Sequence, residues 1–290
     1  MISGAEDPLR IVDARGVAPA ALHQGMAEAF RDYVVPMRLS FDQFAFMLRH
    51  RGFDAALSRV ALDGDRVAAF WLMASDAEAP GRAYLLSSGT APAHRRRGLS
   101  ARLCAVVIET LRAGGAREIV SEVIQTNHGA RKLYAALGFR ERRPLRCFDL
   151  SAIAPAPSAA HEIRAVTLAH VFALAPTFRD WAPTWQNDLR SLQRVEGDAL
   201  CLAVFEGGRP VAYAALLTPT GTVADIAVRP DRRRHGLGSA LLGAARKRMD
   251  GRARLLNADG DDAGFAAFMT AIGGAETVGQ FELHLDLTAL

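Results

Sequence analysis

The chain writes one phrase twice. Residues 94–103 read HRRRGLSARL and residues 232–241 read RRRHGLGSAL. In each copy the phrase opens a helical apolar pattern. Leu99, Leu103, Val106, Val107 and Leu111 form one face in the first copy; Leu237, Leu241, Ala244, Ala245 and Met249 form it in the second. Both series follow the i, i+4, i+7, i+8, i+12 spacing of a half-buried helix, and every matched pair is 138 positions apart. A hairpin repeats upstream. DGD (63–65) is a turn between two apolar runs, and EGGRP (206–210) stands in the same place in the second half. A loop, a helix face and a hairpin in one order identify an internal duplication. The chain is therefore restricted to folds that can be built twice. Its 290 residues accommodate two domains of about 145 each. Half of them are apolar, enough for two cores.

The order of elements repeats as well. The first half reads as a strand (LRIVDA), helical stretches over Ala21–Phe30 and Phe41–Arg49, the hairpin, and a strand RAYLLSSGT ending at Thr90. After the arginine loop comes a helix from Leu99 to Ala113, stopped by Gly114-Gly115. A strand EIVSEVI, a helix over His128–Leu137 closed by Gly138, and a last strand LRCFDL follow. The second half gives EIRAVTL, two helical stretches, the hairpin CLAVFEGGRPVAYAALL, TVADIAV, the loop and its helix, ARLLNA, a helix, and FELHLDL. Between the halves, SAIAPAPSAA (151–160) is uncharged and rich in proline and small residues, the composition of a short linker. The expected organisation is a first domain over 1–150, a linker over 151–160 and a second domain over 161–290.

Composition narrows the class. The net charge is +4, and the basic residues are arginine except for Lys132 and Lys247. That is mildly basic, without the continuous basic face interleaved with aromatics that nucleic-acid binding requires. Cys104, Cys147 and Cys201 form no CxxC pair and are odd in number, against a disulfide framework or a zinc site. The N-terminal MISGAEDPLR carries acids where a signal peptide carries bases. Apolar runs such as VAAFWLMA fall far short of the roughly 20 residues of a membrane span. The expectation is a cytoplasmic protein with no metal, no nucleic acid and no membrane partner.

The loop has a physical meaning. A strand leads into a glycine-containing turn that opens a helix, which gathers unpaired backbone N–H groups around one point and adds the helix dipole. Gly98 and Gly236 carry no Cβ, so an anion can approach the backbone. The spacing is neither the GxGxxG of dinucleotide folds nor the GxxxxGK of nucleotide hydrolases. Taken alone, such a loop is equally an ordinary strand–helix turn with solvated arginines.

TAPAHRRRGLSARL and VRPDRRRHGLGSALL resemble the acetyl-CoA signature of the GCN5-related N-acetyltransferases, (Gln/Arg)-x-x-Gly-x-(Gly/Ala). NHGARKLYAALGF (127–139) resembles the same family's second signature. The resemblance covers nearly the whole chain. It implies an α/β (α+β) fold of two tandem GNAT domains, each a mixed, mostly antiparallel sheet flanked by helices and splayed between its fourth and fifth strands. It implies acetyl-CoA in the splay and transfer of the acetyl group to a primary amine, carried by a small molecule or a peptide. In the first half, Ser88, Gly89 and Thr90 would meet the pantetheine arm and thioester through their backbone. Arg95, Arg96, Arg97, Gly98, Leu99, Ser100 and Ala101 would cradle the pyrophosphate. Asn127 would bond the cofactor near the thioester, and Tyr134 would protonate the leaving thiolate. Glu122 resembles the general base of bacterial ribosomal-protein alanine acetyltransferases. In the second half, Ile226, Ala227 and Val228 and then Arg233, Arg234, His235, Gly236, Leu237, Gly238 and Ser239 are the matching cofactor positions. Each residue has a structural reading too: Tyr134 as a core side chain, Glu122 as a solvent-facing one, Asn127 as a helix N-cap, and the aromatics Phe30, Tyr33, Phe41, Phe44 and Phe46 as packing.

Aligning LGF (137–139) on IGG (272–274) sets Tyr134 against Met269, Asn127 against Asp262 and Glu122 against Asn257. The second half keeps the loop and loses all three chemical groups. The first half keeps them, with Ser100 where the family has Gly or Ala, a change the loop is expected to tolerate. The first domain is therefore read as catalytic. Two alternatives stand beside it. One is catalysis in the second domain with Asp225 as base, as in mycothiol synthase, whose C-terminal half works. The other is a non-catalytic acyl-CoA-binding or sensing protein. Two fused halves fit either a monomer that imitates a dimer or a homodimer.

Overall fold

The structure, a computed structural model, describes residues 9–35, 37–153 and 161–289. Residues 154–160 of the seam, and 1–8 of the stretch weighed as a signal peptide, lie outside the described residues. The elements of the first half are β1 (Leu9–Asp13), α1 (Pro19–Ala29), α2 (Phe41–Arg51), β2 (Phe53–Asp63), β3 (Arg66–Ser75), β4 (Arg82–Thr90), α3 (Leu99–Ala113), β5 (Glu118–Ile124), α4 (His128–Ala136) and β6 (Arg140–Asp149). Those of the second are β7 (Glu162–Val166), α5 (Leu168–Phe178), α6 (Leu189–Gln193), β8 (Ala199–Glu206), β9 (Arg209–Leu217), β10 (Thr222–Val228), α7 (Leu237–Arg248), β11 (Arg254–Asp259), α8 (Ala263–Ala271), β12 (Ala275–Glu276) and β13 (Gln280–Asp286). Local chemistry explains the boundaries. Ser40 and Gln43 form a reciprocal capping box at the start of α2, and Gly52 ends it in the left-handed region at φ 76°.

The chain divides into two compact units, Met1–Glu141 with Leu283–Leu290, and Arg142–Glu282. These part from the bounds 1–150, 151–160 and 161–290 at two strands. β6, written at the end of the first half, pairs antiparallel with β11 through Asp149↔Arg254 and Phe148↔Leu255. The end of β13 belongs to the first unit, beside β5. There His284 Nε2 lies 2.9 Å from Glu118, and the Leu287 amide donates to the Arg117 carbonyl at 2.8 Å.

In the first unit the sheet runs β1-β2-β3-β4-β5, antiparallel except for the parallel pair β4·β5. Phe70 meets Phe30 at the end of α1, while its neighbour Trp71 reaches Ser100 in α3. Alternation along β3 therefore places α1 and α3 on opposite faces. In the second unit the order is β7-β8-β9-β10-β11-β6, again with one parallel pair, β10·β11, and with β12 beside β6. Its core gathers Leu202, Val204, Leu216, Leu237, Leu241 and Met269, all below 2% exposed.

Both units open their sheets at the same place. β4 and β5 share only the rungs Arg82↔Glu118, Ala83↔Ile119 and Tyr84↔Val120 before parting; β10 and β11 share Thr222↔Arg254 and Val223↔Leu255. Just beyond, β4 carries an extra residue, Leu86, between partners Leu72 and Met73 of β3. β10 carries Ala224 between Leu216 and Ala215 of β9. A bulge bends its strand and sharpens its twist, turning the strand end away from its parallel neighbour. These are mixed α/β domains with the splay between fourth and fifth strands. Among the described residues no helix is long and apolar enough to cross a membrane.

Candidate functional site

The two loops are built alike. After β4 the chain turns through Arg96 (φ 62°) and Gly98 (φ 71°) into α3; after β10 it turns through Arg234 (φ 66°) and Gly236 (φ 78°) into α7. Neither helix has a side-chain cap. The first intrahelical bonds run from the Arg102 amide to Gly98 and from the Ala240 amide to Gly236. The amides of Leu99, Ser100 and Ala101, and those of Leu237, Gly238 and Ser239, thus have no partner within the helix. Converging donors at the positive end of a helix dipole make an anion site. A left-handed arginine is unfavourable, and its retention in both copies marks backbone shape as what the loop requires.

The arginines of the phrase divide by role. Arg95 makes two hydrogen bonds to Asp32 (2.6 and 2.7 Å), one to the Thr90 carbonyl (3.2 Å) and one to the Ala29 carbonyl (3.1 Å). Arg233 repeats this with Asp180 (3.0 Å), the Val228 carbonyl (3.2 Å) and the Phe178 carbonyl (3.3 Å). Each staples the loop to the end of the first helix of its half, so these two hold the cradle's shape. Arg97 lies 3.2 Å from His94, and His235 turns its Nδ1 to the Arg233 carbonyl at 2.7 Å. Arg96 and Arg234 are exposed beside the free helix ends.

The residues that differ between the loops are set by packing. Ser100 accepts a hydrogen bond from the Trp71 indole at 3.0 Å. A Cβ at Gly238 would stand 2.9 Å from the Phe268 ring, so glycine there makes room for an aromatic of α8. Gly89 likewise sits 2.7 Å, measured from an ideal Cβ, from Phe70 and 2.9 Å from Ala29. Leu99, at 2% exposed, offers only its amide.

At the mouth of the first splay, β4 holds two polar side chains, one on either side of the Leu86 bulge. The Tyr84 hydroxyl donates to Glu122 Oε2 at 2.6 Å, and Ser88 Oγ is 2.8 Å from the Tyr134 hydroxyl. Tyr134 is 8% exposed and packs edge-on against Trp71 and Phe139. Burial pushes its phenol up to about 12, partly opposed by the bond to Ser88. It holds its proton throughout the neutral range. Asn127 caps α4, accepting from the Ala130 amide at 3.1 Å. Asp262 caps α8 in the same way, from the Phe265 amide at 2.8 Å.

The second unit has a cavity of about 840 Å³ lined by Ile226, Ala227, Val228, Arg234, Gly236 and Gly238, with Trp181, Phe265 and Phe268 opposite. That size is typical of a small-molecule site. Asp225 lines it too, but its Oδ2 accepts from Arg179 Nε (2.8 Å), Arg179 Nη2 (2.5 Å) and the Tyr213 hydroxyl (2.8 Å). Burial pushes the Asp225 carboxyl up and the guanidinium pulls it back. Met269, opposite Tyr134 in the alignment, is fully buried. Asn257, opposite Glu122, is at φ 59° and 2% exposed, bonded to Gln280 (2.7 Å) and Thr184 (3.3 Å). Between Leu255 and Ala258, β11 carries one residue more than β6 opposite it. Among the described residues no group of three or more His, Cys, Asp and Glu is placed to hold a metal ion.

Sequence reasoning passed over Tyr84, Arg179, Asp32 and Asp180. The two aspartates carried a signal, since each follows the first helix of its half and answers an arginine at the 138-residue repeat. Tyr84 carried none, because an apolar strand with a tyrosine reads as core.

Each unit thus sets an uncapped helix end beside the opening of a splayed sheet. The acetyltransferase (GNAT) family model matches residues 21–139 and 168–267, and the chain belongs to that family. Among solved structures it is similar to a tandem GNAT protein from the clavulanic acid biosynthesis pathway, with TM-score 0.71 and 16% identity over 96% of this chain and 98% of that one. It is also similar to a GCN5-related N-acetyltransferase from Sphaerobacter thermophilus, with TM-score 0.72 and 17% identity over 97% and 96%. At these identities the likeness is one of fold, and it extends over both halves. Comparison with curated proteins gives no match.

Proposed function

We propose that the first unit transfers an acetyl group from acetyl-CoA to a primary amine by direct attack, with Glu122 as general base and Tyr134 as general acid. Acetyl-CoA supplies an activated acyl group. The amides of Leu99, Ser100 and Ala101 fit its pyrophosphate, because they converge at a helix end that carries no side-chain cap. The backbone of Ser88, Gly89 and Thr90 ends β4 beside that cradle. An amine is mostly protonated near neutral pH, and a carboxylate can remove its proton directly or through a water. Glu122 stands at the mouth of the splay for that task. The departing sulfur needs a proton, and Tyr134 keeps one available.

The observation that carries this reading is the Tyr134 hydroxyl, buried and 2.8 Å from Ser88 near the end of β4. The rival base, Asp225, has its Oδ2 held by two nitrogens of the Arg179 guanidinium, and its unit has the buried Met269 where the first has the Tyr134 phenol, which disfavours it. The cavity of about 840 Å³ favours a second, binding role for the other unit, with the Leu237, Gly238 and Ser239 amides as its anion donors. The acceptor is an amine on a small molecule or a peptide, and acyl transfer to it involves no nucleic acid.

The test is release of CoA across a panel of amines. Tyr134→Phe and Glu122→Gln are each expected to lower turnover by roughly 10²- to 10⁴-fold, with Asp225→Asn close to the parent. Loss confined to Asp225→Asn would move catalysis to the second unit. Tight acetyl-CoA binding with no turnover on any amine would make the protein a sensor.

A further inference from the structure

We propose that Tyr84 is a positioning residue for the acetyl transfer, fixing one oxygen of the Glu122 carboxylate and favouring its ionised form. The proposal rests on Glu122 being the base.

The geometry comes first. Tyr84 lies on the last rung that β4 shares with β5, opposite Val120, and Glu122 is two residues further along β5. Their side chains join where the backbones separate. The O–H···O distance of 2.6 Å is that of a hydrogen bond to a charged acceptor, stronger than one between neutral groups. Tyr84 is 1% exposed. Burial and the adjacent Glu122 charge both drive its phenol well above the ordinary tyrosine range, so at any working pH it only donates to the carboxylate. A donor bonds a charged carboxylate more strongly than the neutral acid, and so lowers the pKa of that acid.

The other groups around the pair are consistent. From the end of α2, Arg51 donates to the carbonyl of the bulged Leu86 at 3.3 Å, and its positive charge bears on Tyr84. From β5, Ser121 donates to the Leu85 carbonyl at 2.9 Å and closes the sheet beneath.

The duplication supplies an internal control. At the 138-residue repeat, Tyr84 corresponds to Thr222, whose hydroxyl accepts from Arg254 at 3.2 Å and from Thr220 at 2.9 Å. Asn257, aligned with Glu122, bonds to Gln280 and Thr184 instead. The phenol and the carboxylate are replaced together, in the unit that also has Met269 in place of Tyr134. A tyrosine that served only to fill the core would have no reason to change in step with the glutamate.

The experiment is the pH profile of kcat/KM for the full chain. In Tyr84→Phe the acid limb, set by the base, should move to higher pH by about one unit, a tenfold change in proton affinity. KM for acetyl-CoA should not change. In a Glu122→Gln background, Tyr84→Phe should do nothing more. Replacing Tyr84 with a difluorotyrosine, a stronger donor of the same shape, should move the limb to lower pH and covers the case in which Phe does not fold. The Glu122 carboxyl, followed by carbon NMR without substrates and assigned by its absence in Glu122→Gln, should titrate with the same shifts. A lowered plateau with the limb and the NMR titration unmoved would overturn the proposal and leave Tyr84 structural. If Glu122→Gln itself keeps both turnover and limb, the base assignment fails, and the role of Tyr84 fails with it.

Discussion

At the scale of single residues, the two copies of the phrase differ for reasons that lie outside the phrase. Gly238 reads as the better anion loop, yet its missing Cβ accommodates Phe268. Ser100 reads as a tolerated departure, yet it holds the indole of Trp71, which is fully buried. Ser100→Ala is therefore expected to cost roughly 1–3 kcal/mol, the penalty of a buried donor left without a partner. Urea unfolding measures it, and a change below a few tenths would show that the Trp71 bond is unimportant. The amides of the cradle are unaffected by this change, so acetyl-CoA binding should weaken far less than stability. A family signature pointed to Tyr134 and Asn127; the structure sets the first beside Ser88 and makes the second the N-cap of α4. The candidate site was not legible for Tyr84, Ser88's bond to Tyr134, or the Arg179–Asp225 pair. Those depend on which strand positions meet across a splay, and spacing along the chain does not encode that.

At the scale of elements, periodicity did most of the work. α3, β4, β5 and β10 have the limits that their apolar patterns and glycine stops mark out. β6 departs from its pattern, as does β2, which begins at Phe53. β6 begins at Arg140, five residues before the recognised LRCFDL, because RERRP shows no alternation and contains a proline. Periodicity also leaves unstated how closely elements approach. Gly25 is in the middle of α1, where glycine lowers helix propensity, and its ideal Cβ falls 2.5 Å from Val67 Cβ on β3. The glycine lets α1 lie against the strand. Gly25→Ala exchanges a propensity gain of about 1 kcal/mol for overpacking that costs roughly 1–3 kcal/mol. Because the obstacle is a Cβ and not the tip of a flexible chain, the clash should dominate. A lowered melting temperature is expected, and a raised one would show that α1 can shift without cost.

At the scale of the whole molecule, the sequence shows two domains but not their membership. LRCFDL and FELHLDL are both short strands of mixed apolar and polar residues, and each is the last strand of its half in the sequence. Either strand could be placed beside β5 or beside β11, because an apolar pattern specifies which face is buried and not which neighbour is chosen. In the structure, β6 pairs with β11, and Leu283–Leu290 completes the first unit. A first half ending at residue 150 would thus leave the edge of β5 open, without the Glu118–His284 and Arg117–Leu287 contacts. Open strand edges invite pairing with other chains. Residues 1–150 expressed alone are expected to aggregate or to unfold without cooperativity, although they contain every proposed catalytic group. A chain that runs through residue 141 and continues by a Gly/Ser tether into 283–290 should instead unfold cooperatively and remain in solution. Light scattering and thermal melting distinguish the two. If 1–150 proves as stable as the tethered form, the strand from the end of the chain is dispensable. The seam at 151–160 would then be the true boundary of the first domain.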